Sequence, residues 1–352
     1  VSGLIDDLVA LAQTPAPTFE EERRLDWLAQ RLQEVPGNRD RDDAGNLIWS
    51  WGSGRPRLVV AAHVDTVFGI ETDLTVRRNG DDLVGPGIGD NAAAVAVAVN
   101  VVESLLTGGE ALAPGAVAFT VGEEGLGNLR GATAVCSSIA PEAFIALEGH
   151  GLDEVLVEAV GSVRAGVRVS GPGGHSWEGR GTPSAIDGLM AAADRVKSLG
   201  TDAAPVNIGT IEGGRSVNTI ADDASMLVER RALDQEPLDE FADALTSFAL
   251  SPPLHVEVEI VGRRPAGRLD RADPLLRQVL AVRERLGLPT TLGDGSTDAN
   301  AALAAGIPAL CVGVGRGSGM HSLQERIDSG SLHEGAAFLK ALLRALLAEG
   351  AR

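Results

Sequence analysis

Short apolar runs recur along this chain, each ending in glycine or a charged residue, and stretches with helical spacing separate them. That alternation constrains the fold more than any other feature. "NLIWSW", "RLVVAAHV", "GAVAFTVGEE", "AFIALEG" and "PALCVGVG" are too short for helices and apolar at consecutive positions, as strands buried on both faces are. Between them lie segments such as "NAAAVAVAVNVVESLL" and "TFEEERRLDWLAQRLQEV", the second with Leu25, Leu28 and Leu32 at helical spacing behind a capping box of Thr18 and Glu21. The pattern predicts an α/β fold with a central mixed sheet covered by helices.

The middle of the chain breaks the pattern. From about residue 160 to 266 the order becomes strand, helix, strand, strand, helix, strand, a β-α-β-β-α-β unit. In its last strand Leu254, Val256, Val258 and Ile260 share one face, and His255, Glu257 and Glu259 the other. A chain of 352 residues exceeds the usual size of one core, and 44% apolar residues can fill two. The expected organisation is a catalytic domain from 1–159 and 267–352, with a ferredoxin-like domain inserted at 160–266.

Charge and cysteine content narrow the partners. A net charge of −19 with no run of Lys or Arg argues against nucleic acid and anionic membrane. Apolar stretches are interrupted well before 18 residues, and the acidic N-terminus does not resemble a secretory leader, so a soluble chain is expected; without an initiator Met, a trimmed leader stays open. Cys136 and Cys311, far apart in apolar surroundings, suit reduced thiols and a cytoplasmic location.

The residues that carry chemistry sit at the ends of the predicted strands. His63 and Asp65 end one, Glu123 and Glu124 another, Glu148 a third; His321 follows a fourth, and Asp90 follows the glycine-rich "GPGIGD". In open α/β sheets, sites form beyond the carboxyl ends of strands, so residues spread over some 260 positions can converge. Two histidines with several carboxylates suit zinc, with cobalt or manganese as substitutes. Singly, each residue has a structural reading, a bonded histidine or a solvated glutamate. "GPGIGD" spaces its glycines G-x-G-x-G, not G-x-G-x-x-G, and does not fit a dinucleotide loop.

The set as a whole resembles the zinc exopeptidase and deacylase family of glutamate carboxypeptidase, aminoacylase, succinyl-diaminopimelate desuccinylase and peptidase T, closest in wording to peptidase T-like members. The matching pieces span nearly the whole chain: "HVDTV", "GIGDNAAA", "GEEGLGNLRGA", "EGH", "GPGGHSW", "GGRSVNTIADDASMLVERR", "GSTDANAALAAGIPALCVG" and "MHSLQE".

The resemblance implies two zinc ions bridged by Asp90, with His63 and Glu148 completing one site and Glu124 and His321 the other. It makes Glu123 the general base and Asp65 the residue that orients His63 through the ring nitrogen facing away from the metal. Adjacent strand residues point opposite ways, which would separate Glu123 from Glu124. His175 is expected to reach the partner subunit's site of a homodimer formed through the inserted domain, which also closes as a lid. Asn218 and Arg231 match substrate-binding positions, with Arg230 the neighbouring alternative; His150, His255 and His333 have no matched role. The resemblance also places a cis peptide at Asp90–Asn91. The implied activity is cleavage of an amide next to a free terminus of a small peptide. N-acyl amino acid deacylation is the alternative, and a binding protein of the same fold that has lost catalysis is a third reading.

Overall fold

In the computed structural model, which describes residues 3–348, four parallel strands form the centre of a mixed sheet: Gly115–Thr120, Leu58–His63, Ala143–Glu148 and Ala309–Gly313, in that spatial order. Leu47–Trp51 and then Asn38–Arg41 extend it antiparallel at one side. At the other, Glu154–Ala159 runs antiparallel to Ala309–Gly313 and carries Thr291–Gly295 in parallel. Strands buried on both faces need apolar residues at every position. Accordingly Leu58–His63 and Gly115–Thr120 are buried throughout.

Alternate residues serve two different cores. Val60, Ala62, Val117, Phe119, Ile145 and Leu147 join one with residues of helices Leu4–Ala12, Ala94–Thr107, Pro274–Leu286 and Ser329–Leu347. Val59, Ala61, Ala116, Ala118, Phe144 and Ala146 join the other with residues of Arg130–Ile139 and Ala299–Ala304. The stretch Ile88–Thr107 is long and apolar enough to cross a membrane by composition, but its apolar window is 83% buried within the protein. Here it is a core helix. Cys136 and Cys311 are both free and buried, and burial pushes the Cys136 thiol up to about 12.

The chain divides into two compact units, Val160–Gly267 and the segments that flank it, up to Ala159 and from Arg268 on. In the smaller unit the sheet order is Val206–Gly213, Asp223–Ala232, Gly161–Ser170, His255–Arg264, every neighbour antiparallel. Helices Ala185–Ser198 and Gln235–Thr246 contribute Leu189, Val196, Leu238 and Phe241 to a core of its own. Leu254, Val256, Val258 and Ile260 pack against it.

The helix after Thr18 starts later than the capping box implies. It spans Glu22–Arg31, with Glu21 at its N-cap and no side-chain cap bond. Both capping-box side chains have tertiary partners instead: Thr18 Oγ1 donates to Asp65, and Glu21 accepts from the amides of Phe19 and Gly122 and from Arg130. A two-residue ribbon, Gly174–His175 with Thr219–Ile220, is a further element that periodicity does not reveal.

Candidate metal centre

The four central strands end side by side, and their carboxyl ends deliver the candidate ligands. His63 closes its strand and Glu148 closes the next. Gly122, in the left-handed region at φ 63°, turns the chain after Gly115–Thr120 so that Glu123 and Glu124 follow in a loop. Asp90 lies where the helical run begins irregularly, and the Asp90–Asn91 peptide is cis.

These residues form three interlocking groups whose ligand atoms lie within 4.8 Å of one another: His63, Asp90 and Glu148; Asp90, Glu124 and His321; and His63, Glu123 and Glu124. One Asp90 carboxylate oxygen stands 3.1 Å from His63 Nε2, the other 3.0 Å from His321 Nε2. Glu148 is 3.6 Å from His63 Nε2, and Glu124 is 3.1 Å from His321 Nε2. Donors about 2.0–2.1 Å from a tetrahedral zinc stand about 3.3–3.4 Å apart. The observed 3.0–3.6 Å spacings fit such a group, and Asp90 is the shared member. Glu123 points into the same cluster. Opposition along a strand therefore does not separate it from Glu124, because neither residue is on a strand.

The electrostatics are those of a cation site. Burial opposes a charge on His63, yet its contacts with Asp65, Asp90 and Glu148 hold it well above the usual histidine range. Asp90 and Glu124 raise His321 to about 10. Burial, with the charges of Asp90 and Asp298, pushes Glu148 up to about 6 against the pull of His63. Protons and a metal ion compete for the same donors.

Asp65 is completely buried and holds this arrangement from behind. His63 Nδ1 is 3.1 Å from its main-chain carbonyl and 3.5 Å from its carboxylate. Both are acceptors, so Nδ1 carries a proton, and Nε2 is the nitrogen that a metal ion in the cluster would take. The Asp65 carboxylate also accepts from the amides of Glu123 and Glu124 at 3.0 and 2.9 Å and from Thr18 Oγ1 at 2.9 Å. Burial opposes its charge, but His63 and the amides of Glu124 and Glu123 lower its pKa. Arg24, buried in the helix Glu22–Arg31, donates to the carbonyl of Val64 between the two.

In the smaller unit the ribbon brings His175 and Asn218 together, with the Ser176 amide bonded to the Asn218 carbonyl. His175 is exposed; its Nδ1 accepts from the amides of Trp177 and Glu178, which leaves Nε2–H as an outward donor. Asn218 accepts from Ser216 Oγ. Arg231 lies elsewhere, near the far end of the strand Asp223–Ala232, its Nε bonded to Glu229 at 2.9 Å. From Asp223 to Arg231 the extended chain covers about 26 Å, at about 3.3 Å per residue. Arg230 is buried, donating to the carbonyls of Ala204 and Pro237. Thr18, Glu21, His150 and Glu325 also shape the centre, and sequence reading assigned none of them a place there.

The sequence profile of peptidase family M20/M25/M40 matches residues 59–345. The chain is similar to the aminopeptidase PepT of Bacillus cereus ATCC 10987, 22% identical with a TM-score of 0.79 over 97% of this chain and 98% of that one. It is similar to a Staphylococcus aureus tripeptidase, 22% identical with a TM-score of 0.83 over 97% of each chain. It is also 26% identical to the [LysW]-lysine hydrolase of Deinococcus radiodurans, across 92% of this chain and 90% of that protein. The profile spans most of the chain and all of the ligand-bearing strand ends, and the protein is a member of peptidase family M20/M25/M40, a metal-dependent hydrolase of amide bonds.

Proposed function

We propose that the protein is a dinuclear zinc exopeptidase that cleaves an amide next to a free terminus in small peptides. The observation that carries this reading is the Asp90 carboxylate, whose two oxygens face the two histidines. His63 and Glu148 would hold one ion, Glu124 and His321 the other, with cobalt or manganese able to replace zinc. The ions would acidify water and polarise the substrate carbonyl. Glu123 takes the proton of the attacking water on its carboxylate and delivers it to the leaving amine nitrogen. Asp65 keeps the proton on His63 Nδ1, so that Nε2 remains a ligand.

The smaller unit supplies substrate contacts in a homodimer. Val206–Gly213, one of its two edge strands, pairs on one side only, and Ile186, Met190 and Ile211 are exposed there and on the helix Ala185–Ser198. These features favour a second copy as partner. His175 Nε2–H suits a developing oxyanion. From Asp223, three residues past the ribbon, to Arg231 the strand covers about 26 Å, more than a small substrate spans. His175 would serve the partner's centre, and Asn218 and Arg231 would bind the substrate's carboxylate or carbonyl. The similarity to PepT and to a tripeptidase supports peptides as substrates. The [LysW]-lysine hydrolase likeness supports the second reading, deacylation of an N-acyl amino acid.

The test is turnover of dipeptides, tripeptides and N-acetyl amino acids, before and after chelation and with zinc restored. Zinc-dependent release of amino acids from peptides is expected. Hydrolysis confined to N-acetyl amino acids would establish the second reading. No zinc-dependent turnover of any of them would overturn both.

A further inference from the structure

The glycine-rich segment before Asp90 is an anion nest, and the anion it holds belongs to the chain itself. The amides of Gly87, Gly89 and Asp90 donate to the Glu325 carboxylate at 2.7, 3.1 and 2.8 Å, and His150 Nε2 adds a fourth donor at 2.7 Å. Backbone amides gathered this way make a concavity for a negative group. Glu325 fills it while completely buried. The fit is close: a Cβ on Gly89 would stand 2.1 Å from His150 Nε2 and 2.7 Å from a Glu325 oxygen. Gly87 sits in the left-handed region at φ 68°. The glycines of "GPGIGD" thus admit a carboxylate and an imidazole where a dinucleotide loop would admit a phosphate.

Three ligand-bearing segments meet at this carboxylate. The Asp90 amide binds it directly, His321 is four residues before it, and Glu148 is two residues before its partner His150. The geometry points to Glu325 as a positioning residue of the metal centre: through the nest and His150 it fixes Asp90, Glu148 and His321 relative to one another. This inference rests on the proposal that the cluster holds metal. All four partners donate, so only a group that accepts at both oxygens satisfies them; glutamine would turn an N–H toward at least one donor, and an apolar residue would orphan all four.

The experiment measures zinc binding by the full-length protein with Glu325→Ala and Glu325→Gln. Removing partners behind metal ligands costs about 10–100-fold in metal affinity, and that rise in Kd is expected for both variants. Glu325→Gln keeps the side-chain volume, which separates a positioning loss from a packing loss. Formate added to Glu325→Ala supplies a carboxylate to the emptied nest, and zinc affinity should return by about tenfold relative to the effect of formate on wild type. Formamide, of similar size but bearing N–H groups, should restore nothing. Wild-type zinc affinity in Glu325→Gln, or equal effects of formate and formamide, would overturn the assignment. If the wild-type protein binds no zinc, the metal-centre reading falls and takes this inference with it; if only the variant data disagree, this inference alone fails.

Discussion

Glu123 and Glu124 are adjacent in sequence, buried in one cluster and given different tasks in the proposed reaction, so single substitutions separate them. Glu123→Ala should keep its metal and lose turnover by about 10²-fold or more, the usual contribution of a general base. Glu124→Ala should lose metal from the site shared with His321. Metal content and kcat measured on both proteins decide the assignment, and metal loss in the first with none in the second would reverse it. Asp65 permits a second test at this scale. Its carboxylate accepts from Thr18 Oγ1 and the amides of Glu123 and Glu124. Asparagine turns an N–H toward one of those donors, so Asp65→Asn should weaken metal binding by about 10–100-fold, measured as the zinc Kd. Asp65 was legible as a partner of His63 through the family resemblance that "HVDTV" carries. That it also carries the Glu123–Glu124 loop was not, since those bonds go to backbone amides, which leave no mark in side-chain identity.

Strands and helices were legible where burial imposes a period. Leu58–His63 is apolar at every position up to its terminal histidine because both its faces are covered, and the strand His255–Arg264 alternates as far as Ile260 because one is. The ribbon Gly174–His175 with Thr219–Ile220 is too short to show any period, and it is the element that places His175 beside Asn218. Thr18 and Glu21 have capping-box spacing, but spacing cannot distinguish a cap from two side chains recruited by Asp65 and Gly122. Within the smaller unit, the strand Asp223–Ala232 carries a cross-strand ion pair that can be tested. Glu229 is in register with Arg164 on the neighbouring strand and bonds its Nε at 2.7 Å, and it also holds Arg231. Burial opposes the charge of Glu229, but Arg231 and Arg164 outweigh it and lower the pKa. A carboxyl with a depressed folded pKa contributes stability above its unfolded value, near 4.3–4.5, and loses it as pH falls through the folded one. Glu229→Gln should therefore destabilise metal-free protein by about 1 kcal/mol at pH 7. The difference from wild type in denaturant unfolding should shrink toward pH 3. A difference independent of pH would mean that packing, not charge, is what the substitution removes.

At the scale of the whole molecule, the candidate metal centre joins parts of the chain that the insert separates. His63, Asp90, Glu124 and Glu148 precede Val160–Gly267, and His321 follows it. Backbone pairing also joins the two segments, since Ala309–Gly313 pairs with Ala143–Glu148 along five positions. The carboxyl end of the sheet gathers Asp65, Asp90, Glu123, Glu124 and Glu148, and without a metal ion His63 and His321 must offset them as protonated imidazoles. An ion bound only by the folded state adds about 4 kcal/mol when present at about 1,000 times its Kd. The smaller unit has its own core around Val163, Val167, Leu238 and Phe241, and none of the candidate ligands lies in it. Chelation should therefore speed hydrogen exchange at the amides of Leu58–His63, Ala143–Glu148 and Ala309–Gly313 and leave Gly161–Ser170 and Asp223–Ala232 at their metal-loaded rates. Zinc added back should restore the protection. Exchange that rises equally in both units would show one cooperative unit in place of two, and exchange that rises in neither would show that the cluster holds no ion.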